Sequence, residues 1–466
     1  MDKELLSKHI GKWRRLNNDA GNSKWILIQS DPKPTDIIQG LLGNCWLLSA
    51  LALVVQHENL LSNVIRTSSM EFDQNSRCHI RLFRNGRWHT VIVDDWLPCD
   101  HNGHLVFSES KRNQLFVPLI EKAMAKLLGG YHRLIGGHTS LGLTSLTGYP
   151  CKIFSLPSII DYPALNEADS LSITEFWIKI LSFNSAGFLM TVSCGRNRNE
   201  QQQEQYKQLG LLLNHAYSIL DTVSIGNLRL VKLVGSLNLH NKNDFLKFAI
   251  RLRNPWGTIV WKGDWCEQST LWTKKLSIRL KTKGCSEDGI FWISFIDLCR
   301  YFQDLVVCKI LPHWYQYSFD CDFALSFEDH IGHVFEISVE TDQIFTHSQV
   351  MCTFYHDAKS ESNDSPTILI LIYELRANQT SHVLGKFISS SVGTMHSSII
   401  CEAELQQGRR YLLAAFAFNE NLTIDSNVLR IYSSRPLRFK KFEPNSALRG
   451  DLIIHYVLAC GQQYEV

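Results

Sequence analysis

The sequence predicts an α+β protein made of a helical first lobe, a β-rich second lobe and a C-terminal β-sandwich. Three observations support this fold class. The chain has 466 residues, too many for one hydrophobic core. Its long apolar helical segments lie in the first third, and strand-length apolar runs separated by turn residues dominate the rest. We expect domain boundaries that give residues 1–148, 149–312 and 313–466.

The first lobe is predicted to be built on two helices and a hairpin. Residues 44–57 are apolar on all sides, which indicates a buried helix. A second helix is predicted over 117–128, where Gly129 follows and stops it. Between the two helices, apolar runs flank an Asn85-Gly86 pair, which is a strong signal for a β-hairpin.

The second lobe is predicted to be mostly strands. Apolar, β-branched runs indicate strands over 188–192, 216–222, 228–234 and 248–253. The segment 196–208 is rich in Asn, Gln and Glu and is interpreted as a solvated surface loop.

The C-terminal third contains short β-rich runs separated by turn residues. This pattern is typical of a β-sandwich. The predicted strands are 334–339, 368–373, 411–418, 429–432 and 452–457.

Composition excludes some functions. The net charge of +2, from 47 basic and 45 acidic residues, gives no reason to expect nucleic acid or an anionic membrane as the main partner. The thirteen cysteines include no C-x-x-C pair, so we expect reduced, buried thiols. The N-terminus shows no apolar signal region, and no apolar run is long enough to span a membrane. We therefore expect a cytoplasmic protein.

The segment before the first predicted helix carries a candidate nucleophile. Cys45 would lie at the N-terminus of that helix, where the helix dipole favours a thiolate. Gly40 and Gly43 allow a tight turn that would face the sulfur towards a cleft. Gln39 could point its amide back and form an oxyanion hole with the Cys45 backbone N–H. Taken alone, Cys45 is better explained as a structural cysteine, since buried cysteines are common.

Two further segments carry a candidate base and its partner. His215 opens an apolar strand that could hold the imidazole rigidly. Asn254 could accept a hydrogen bond from the distal ring N–H of that histidine and fix its tautomer. Pro255 stiffens the chain after Asn254, and Trp256 could shield the pair from water. Each residue alone also has an ordinary structural explanation, a core histidine or an Asn-Pro turn.

The order Cys, His, Asn is that of papain-like proteases. The three motifs, QGLLGNCW, NHAYSI and RNPWG, resemble the active-site blocks of the calpain family, and the resemblance covers residues 12–312. It implies a two-lobed papain-like core and an intracellular cysteine endopeptidase that makes limited cuts in protein substrates without an organic cofactor. GNCW together with VDDWLPC looks most like the small-optic-lobes branch. The resemblance also implies that four residues line the substrate cleft: Gly43, Trp46, Gly137 and Trp256.

The same resemblance implies calcium binding in the first lobe. The acidic ligands of the family fall on Asp36 and Glu121, and backbone carbonyls near Gln29 to Asp31 could complete the shell. Such hard oxygen ligands suit calcium. The alternative interpretation is a pair of solvated surface acids.

The second lobe departs from the family pattern. Val260 and Ile290 stand where acidic ligands are expected, and only Asp288 remains, with Glu267 as a stand-in. Pro34 and Ile290 also replace the arginine and acid that would join the lobes. We therefore expect one calcium site, in the first lobe, and a mechanism of regulation that differs from the usual calcium switch.

Two alternatives, the role of the β-sandwich and one departure in length remain open at this stage. The chain could be a catalytically silent scaffold, or a transglutaminase, although that class needs Asp as its third residue. The β-sandwich is expected to bind a protein or membrane surface, or to brace the core. Residues 235–244 look like an insertion, and if they packed across the cleft they would block it.

Overall fold

The computed structural model describes most of the chain. No helix within the described ranges is long and apolar enough to cross a membrane. Those ranges are 8–16, 25–66, 77–157, 167–195, 200–224, 248–284, 286–321, 331–340, 345–355, 367–376, 384–391, 398–418, 427–442, 450–452 and 454.

The chain folds into two compact units. The first unit comprises residues 1–83 and 88–310, and the second comprises residues 84–87 and 311–466. The predicted active-site residues all belong to the first unit.

The helices of the first unit include one that is buried all round. All side chains from Trp46 to Val54 are buried, as the uniformly apolar sequence predicts. The second predicted helix ends at Gly129, whose φ of 99° lies in the left-handed region that favours glycine. The helices are α1 (Cys45–Val54), α2 (Glu58–Val64), α3 (Phe116–Leu128), α4 (Thr139–Thr147), α5 (Glu167–Ser185), α6 (Glu200–Gln208), α7 (Lys274–Leu280) and α8 (Phe295–Tyr301).

A six-stranded antiparallel sheet forms the largest β element of the first unit. Its strand order is β11-β10-β9-β8-β12-β7. The predicted hairpin is confirmed, because β3 and β4 pair across Asn85 and Gly86, both with positive φ. The strands are β1 (Lys12–Arg15), β2 (Ile37–Ile38), β3 (Arg77–Arg84), β4 (Arg87–Asp94), β5 (Trp96–Cys99), β6 (Glu109–Ser110), β7 (Cys151–Ser155), β8 (Leu189–Cys194), β9 (His215–Ser224), β10 (Phe248–Arg253), β11 (Ile290–Ser294) and β12 (Phe302–Cys308).

Two large hydrophobic clusters fill the first unit. The first surrounds α1 with buried side chains from α3 and α4, such as Ile120 and Leu143. The second joins the six-stranded sheet to α5 and α8, where Trp177 packs against Phe295 with ring centroids 5.2 Å apart. Helix α1 belongs to the first cluster, whereas the inner residues of β9, such as Tyr217, belong to the second.

The second unit contains two antiparallel sheets. Their orders are β13-β20-β15-β18 and β17-β16-β19-β14-β21. Alternate side chains of both sheets join one hydrophobic cluster, for example Phe354 and Ile431 from the first and Ile337 and Leu413 from the second. The strands are β13 (Tyr315–Cys321), β14 (Ile331–Val339), β15 (His347–Tyr355), β16 (Thr367–Leu375), β17 (Leu384–Ser390), β18 (Ser398–Gln406), β19 (Arg410–Phe418), β20 (Asn427–Ser433) and β21 (Leu437–Phe442).

Two expectations about local structure were wrong. Residues 200–208 form α6 instead of a loop, because Tyr206 and Leu211 give this polar segment an anchor in the second hydrophobic cluster. The predicted strand over 452–457 is helical at its described residues, 452 and 454, and Leu452 is buried among side chains of the five-stranded sheet. The predicted strand over 228–234 and the inserted segment 235–244 lie outside the described residues.

A glycine sets the close approach of α4 to α1. A Cβ atom added at Gly142 would lie 2.7 Å from the carbonyl oxygen of Trp46 and 3.0 Å from the Ala50 Cβ. We expect Gly142→Ala to lower the free energy of unfolding by about 1–3 kcal/mol, because the helices must separate. Chemical denaturation measures this loss. Gly43→Ala is the control in the same unit, since its added Cβ has only an ordinary contact at 3.7 Å; equal losses in the two variants would contradict the explanation.

Candidate active site

A buried hydrogen bond joins the predicted base to its predicted partner. His215 opens β9, Asn254 directly follows β10, and the His215 Nε2 atom lies 2.8 Å from the Asn254 Oδ1 atom. Both side chains are buried. Since a side-chain amide oxygen can only accept, the His215 Nε2 atom carries the proton.

The orientation of the Asn254 amide is fixed from both ends. Its Nδ2 atom donates to the Ile259 carbonyl oxygen at 2.8 Å, and its Oδ1 atom also accepts from the Trp256 backbone N–H at 3.0 Å. A flipped amide would lose both bonds. The network therefore selects one histidine tautomer, in which the other ring nitrogen, Nδ1, holds a free lone pair.

Cys45 is the first residue of α1 and is half-buried. Burial raises the pKa of its thiol, while hydrogen bonds from the backbone N–H groups of Ala216 and Trp46 oppose this rise. Ala216 follows His215 in β9, so the thiol lies at the start of the strand that carries the imidazole. Backbone N–H groups at a helix N-terminus stabilise a thiolate once it forms.

The imidazole is neutral in this arrangement. Burial lowers the pKa of His215 to about 4, although the hydrogen bond to Asn254 partly raises it. At neutral pH the site therefore holds a thiol and a neutral imidazole, and the histidine is able to accept a proton.

Two serines that sequence reasoning missed join the cysteine helix to the histidine strand. The Ser49 hydroxyl donates to the Ala216 carbonyl oxygen at 2.9 Å, and the Ser218 hydroxyl donates to the Ser49 carbonyl oxygen at 2.8 Å. Ser49 lies one turn beyond Cys45 on the same face of α1. The signal in the sequence was a lone hydroxyl in an otherwise apolar, buried helix, since a buried polar group needs a partner.

Gln39, the candidate oxyanion donor, is held close to its own loop. Its Nε2 atom donates to the Leu42 carbonyl oxygen at 2.8 Å, and its backbone N–H donates to the Pro255 carbonyl oxygen at 3.1 Å. An amide nitrogen has two protons, so one remains for a ligand.

The four residues predicted to line the cleft occupy different places. Trp256 is 41% exposed and lies edge-on to His215, with ring centroids 5.8 Å apart. Gly43 is exposed, and its carbonyl oxygen accepts from the Gly136 N–H at 2.9 Å. Trp46 differs from the prediction: it is a core residue, 1% exposed, because its ring packs in the first cluster and its Nε1 atom donates to the Leu134 carbonyl oxygen. A Cβ atom at Gly137 would lie 2.7 Å from that ring, so this glycine makes room for it.

The two predicted calcium ligands of the first lobe have separate partners. Both Asp36 carboxylate oxygens accept from the Arg112 guanidinium. Glu121 is buried elsewhere, where its Oε1 atom accepts from the Asn44 amide at 2.6 Å and its Oε2 atom accepts from the Ser108 N–H at 3.1 Å. Burial raises the pKa of Glu121 to about 7, which disfavours the charged form. Since both carboxylates are engaged in protein contacts, the residues do not fit a shared calcium site.

The acids of the second lobe are paired as well. Asp288 accepts from the Lys111 ammonium at 2.8 Å. Glu267, the stand-in ligand, accepts from the Gly284 N–H at 2.6 Å and from the hydroxyl and N–H of Ser286. Within the described residues, no group of three or more His, Cys, Asp or Glu side chains could hold a metal ion.

The fold and the site thus place a thiol at a helix N-terminus and a bonded imidazole–amide pair at the start of the neighbouring strand. The model of the calpain family cysteine proteases matches residues 3–309, and the chain belongs to this family. It is 31% identical over 315 residues to the calpain-type cysteine protease DEK1 of Arabidopsis thaliana. It is 32% identical over 285 residues to calpain-5 of Mus musculus, and 33% identical over 316 residues to the calpain-1 catalytic subunit of Rattus norvegicus.

These alignments cover only part of each protein. The alignment with DEK1 covers 66% of this chain and 13% of DEK1. The alignment with calpain-5 covers 59% of this chain and 42% of calpain-5, and the alignment with the calpain-1 catalytic subunit covers 66% of this chain and 39% of that subunit. The chain thus spans less than half the length of these curated relatives.

The geometry predicts how His215 titrates. With Asn254 in place, His215 should titrate near pH 4. Asn254→Ala removes the hydrogen bond that raises this pKa, so we expect a still lower value. Asn254→Asp places a negative charge beside the ring, which favours the imidazolium and should raise the pKa. NMR titration of ¹³C-labelled histidines measures all three, with His215→Gln to assign the signal. Identical titration in the three proteins would show that Asn254 does not control the ring.

The serine contacts predict a stability effect. Ser49→Ala removes the hydroxyl donor from the buried Ala216 carbonyl group, so we expect a loss of about 1–3 kcal/mol in the free energy of unfolding. The control is Ser62→Ala, because the Ser62 hydroxyl contacts Asn59 on the exposed surface of α2. Denaturation of both variants tests the idea, which fails if Ser49→Ala is no less stable than Ser62→Ala.

Proposed function

We propose that this chain is a cysteine endopeptidase that makes limited cuts in protein substrates. Cys45 is the nucleophile, His215 the general base and Asn254 the residue that orients the imidazole. The observation that carries the proposal is the Asn254 amide, which is held from both ends and directs its oxygen to His215 Nε2. His215 Nδ1 is then the only ring atom left to accept a proton.

The first half of the reaction is acylation. When the carbonyl group of a peptide bond reaches the site, the Cys45 thiol gives its proton to His215 Nδ1 and the sulfur attacks the carbonyl carbon. The Ala216 and Trp46 N–H groups stabilise the thiolate as it forms. The imidazolium then protonates the leaving amine, and an acyl-enzyme remains on the sulfur.

The oxyanion is assigned to two donors near the start of α1. They are the second proton of the Gln39 amide and the backbone N–H of Cys45, which lies at this end of the helix. In the second half, His215 takes a proton from water, the resulting hydroxide attacks the thioester, and Cys45 leaves as the thiol. Asn254 keeps the same ring orientation through both halves because its own bonds do not change.

Membership of the calpain family supports protein substrates and thiol protease chemistry. We also propose that the chain belongs to the small-optic-lobes branch of that family and acts in the cytoplasm, in keeping with the eleven free cysteines among the described residues. The two sheets of the second unit are proposed to form a β-sandwich that binds a protein or membrane surface, or braces the core, and that has no catalytic residue.

Cys45 can be tested by labelling and by cleavage. Iodoacetamide should modify Cys45 before the other cysteines, because His215 takes the Cys45 proton when the sulfur attacks and because nine of the remaining ten described thiols are buried. Cys45→Ala should abolish cleavage of casein and leave the melting temperature unchanged within about 2 °C, a shift typical of small effects in a large domain. The half-buried Cys266 offers the control variant, Cys266→Ala, which should cleave normally.

Three outcomes would contradict the proposal. A folded protein with labelled Cys45 but no cleavage of any protein substrate would indicate a silent scaffold. Amine incorporation without cleavage would indicate a transglutaminase. Cleavage that survives in Cys45→Ala would place the nucleophile elsewhere.

A further inference from the structure

The segment before α3 places an arginine in an unusual backbone conformation. Arg112 has a φ of 62° and the next residue, Asn113, has a φ of 54°. Left-handed conformations at residues other than glycine cost on the order of 1 kcal/mol or more each and persist where surrounding contacts hold them. Asparagine adopts this conformation readily, so it is the one at Arg112 that indicates contacts which hold the segment.

Those contacts use every N–H group of the Arg112 guanidinium. Its Nε atom donates to Asp36 Oδ1 at 2.9 Å, and Nη2 donates to Asp36 Oδ2 and to the Asp31 carbonyl oxygen at 2.9 Å. Its Nη1 atom donates to Asp31 Oδ1 at 2.9 Å and to Gln29 Oε1 at 2.7 Å. A guanidinium has five such protons, and all five are paired with oxygen.

The charges around this guanidinium are balanced. Asp31 and Asp36 contribute two negative charges, and Arg112 contributes one positive charge. The second positive charge comes from Lys33, whose ammonium lies 3.3 Å from Asp31 Oδ2. The Lys33 backbone N–H also donates to Asp36 at 2.8 Å. The loop 29–36 therefore has the cationic partners that its carboxylates need.

These oxygens are the ones from which a first-lobe calcium site would be built: the Asp36 carboxylate and the carbonyl groups of the 29–31 loop. Glu121, the other expected ligand, is fully buried and bonded to Asn44 and Ser108. A calcium ion on these loop oxygens would have to displace Arg112, and it could gain Glu121 as a ligand only by taking that carboxylate out of the core. Both steps oppose binding.

The loop leads directly to the catalytic segment. After Asp36, strand β2 pairs with β6, and the Lys111 N–H donates to the Asp36 carbonyl oxygen at 2.8 Å. The Ile37 carbonyl oxygen then accepts from Arg253, which precedes Asn254, and the Gln39 N–H bonds to Pro255. Fixing the loop therefore fixes Gln39 beside the Asn254 segment.

We propose that Arg112 is the resident cation of the loop 29–36. It holds Asp31 and Asp36 as a divalent ion would, so the loop and the catalytic segment are ordered without calcium. Lys111 likewise pairs with Asp288, the remaining acid of the second lobe. Both side chains of that pair are more than a third exposed, so the pair contributes little to stability. Only the expectation about cleavage rests on the proposed function as a cysteine endopeptidase.

The experiment compares Arg112→Gln with Arg300→Gln in the full chain. Both variants also carry Cys45→Ala to prevent self-cleavage. The two arginines are matched, since their side chains are 31% and 32% exposed and each pairs with an acid. Melting temperature is measured in EGTA and in 1 mM calcium chloride, and calcium binding is measured by isothermal titration.

The proposal predicts that calcium raises the melting temperature of Arg112→Gln but not that of Arg300→Gln. The parent protein should show the same melting temperature in EGTA and in calcium. Arg112→Gln should melt about 3 °C or more lower in EGTA, recover in calcium, and lose that recovery when Asp36→Asn is added. Arg300→Gln should show no calcium response. Arg112→Lys is the second variant if Arg112→Gln does not fold. Its melting temperature in EGTA should lie between those of the parent and Arg112→Gln, because lysine keeps the charge but loses the planar donor pattern.

Two results would overturn the proposal. One is calcium binding by the parent protein that Asp36→Asn abolishes. The other is an Arg112→Gln protein as stable as the parent in EGTA. Neither depends on catalysis, so an inactive enzyme would contradict the proposed function and leave this inference standing. Cleavage by the active parent should be equal in EGTA and in calcium within about twofold.

Discussion

The burial of α1 on every side is the constraint on which the active site depends. Trp46 to Val54 are all inside the core, so the helix can meet solvent only at its first turn. That turn holds Cys45. The free N–H groups at the same point favour negative charge on the sulfur. One packing requirement thus places the candidate nucleophile and supplies its electrostatics.

The histidine strand is attached to this helix by polar groups that are themselves buried. Ser49 and Ser218 each make a hydrogen bond between α1 and β9, and the hydroxyl groups of Thr139 and Thr191 make another between α4 and β8 at 2.7 Å. Buried hydrogen bonds have direction, whereas apolar contacts allow sliding. These bonds therefore set the position of the strand relative to the helix.

Asn254 and Arg112 both use a planar, hydrogen-bonded side chain to fix the position of a neighbouring group. Each is a planar group whose hydrogen bonds allow only one orientation. The Asn254 amide transmits its orientation to an imidazole ring, and the Arg112 guanidinium holds a loop that leads to Gln39. A flexible ammonium or hydroxyl group would hold the same partners with less precision.

The sequence by itself determined α1, α3 and the Asn85-Gly86 hairpin, and it singled out Cys45, His215 and Asn254 as candidate site residues, the last two of which share a hydrogen bond. Each of these is signalled by neighbouring residues: an apolar run, a turn pair, or a short motif. It also suggested Asp36 and Glu121 as partners on one ion. Only the tertiary structure decided that Asp36 bonds to Arg112, which lies 76 positions away, and that Glu121 bonds to Asn44.

The physical reason is that a carboxylate bonds to the donors closest to it in space. Which donors are close is decided only when the chain folds. The same reason explains the smaller errors. Trp46 was expected at the cleft, but its ring packs inside the core and its Nε1 atom donates to the Leu134 carbonyl oxygen. The polar segment 200–208 was expected to be a loop, but the anchoring of Tyr206 in the second cluster favours a helix. Local sequence specifies which groups need partners, and the fold decides which partners they find.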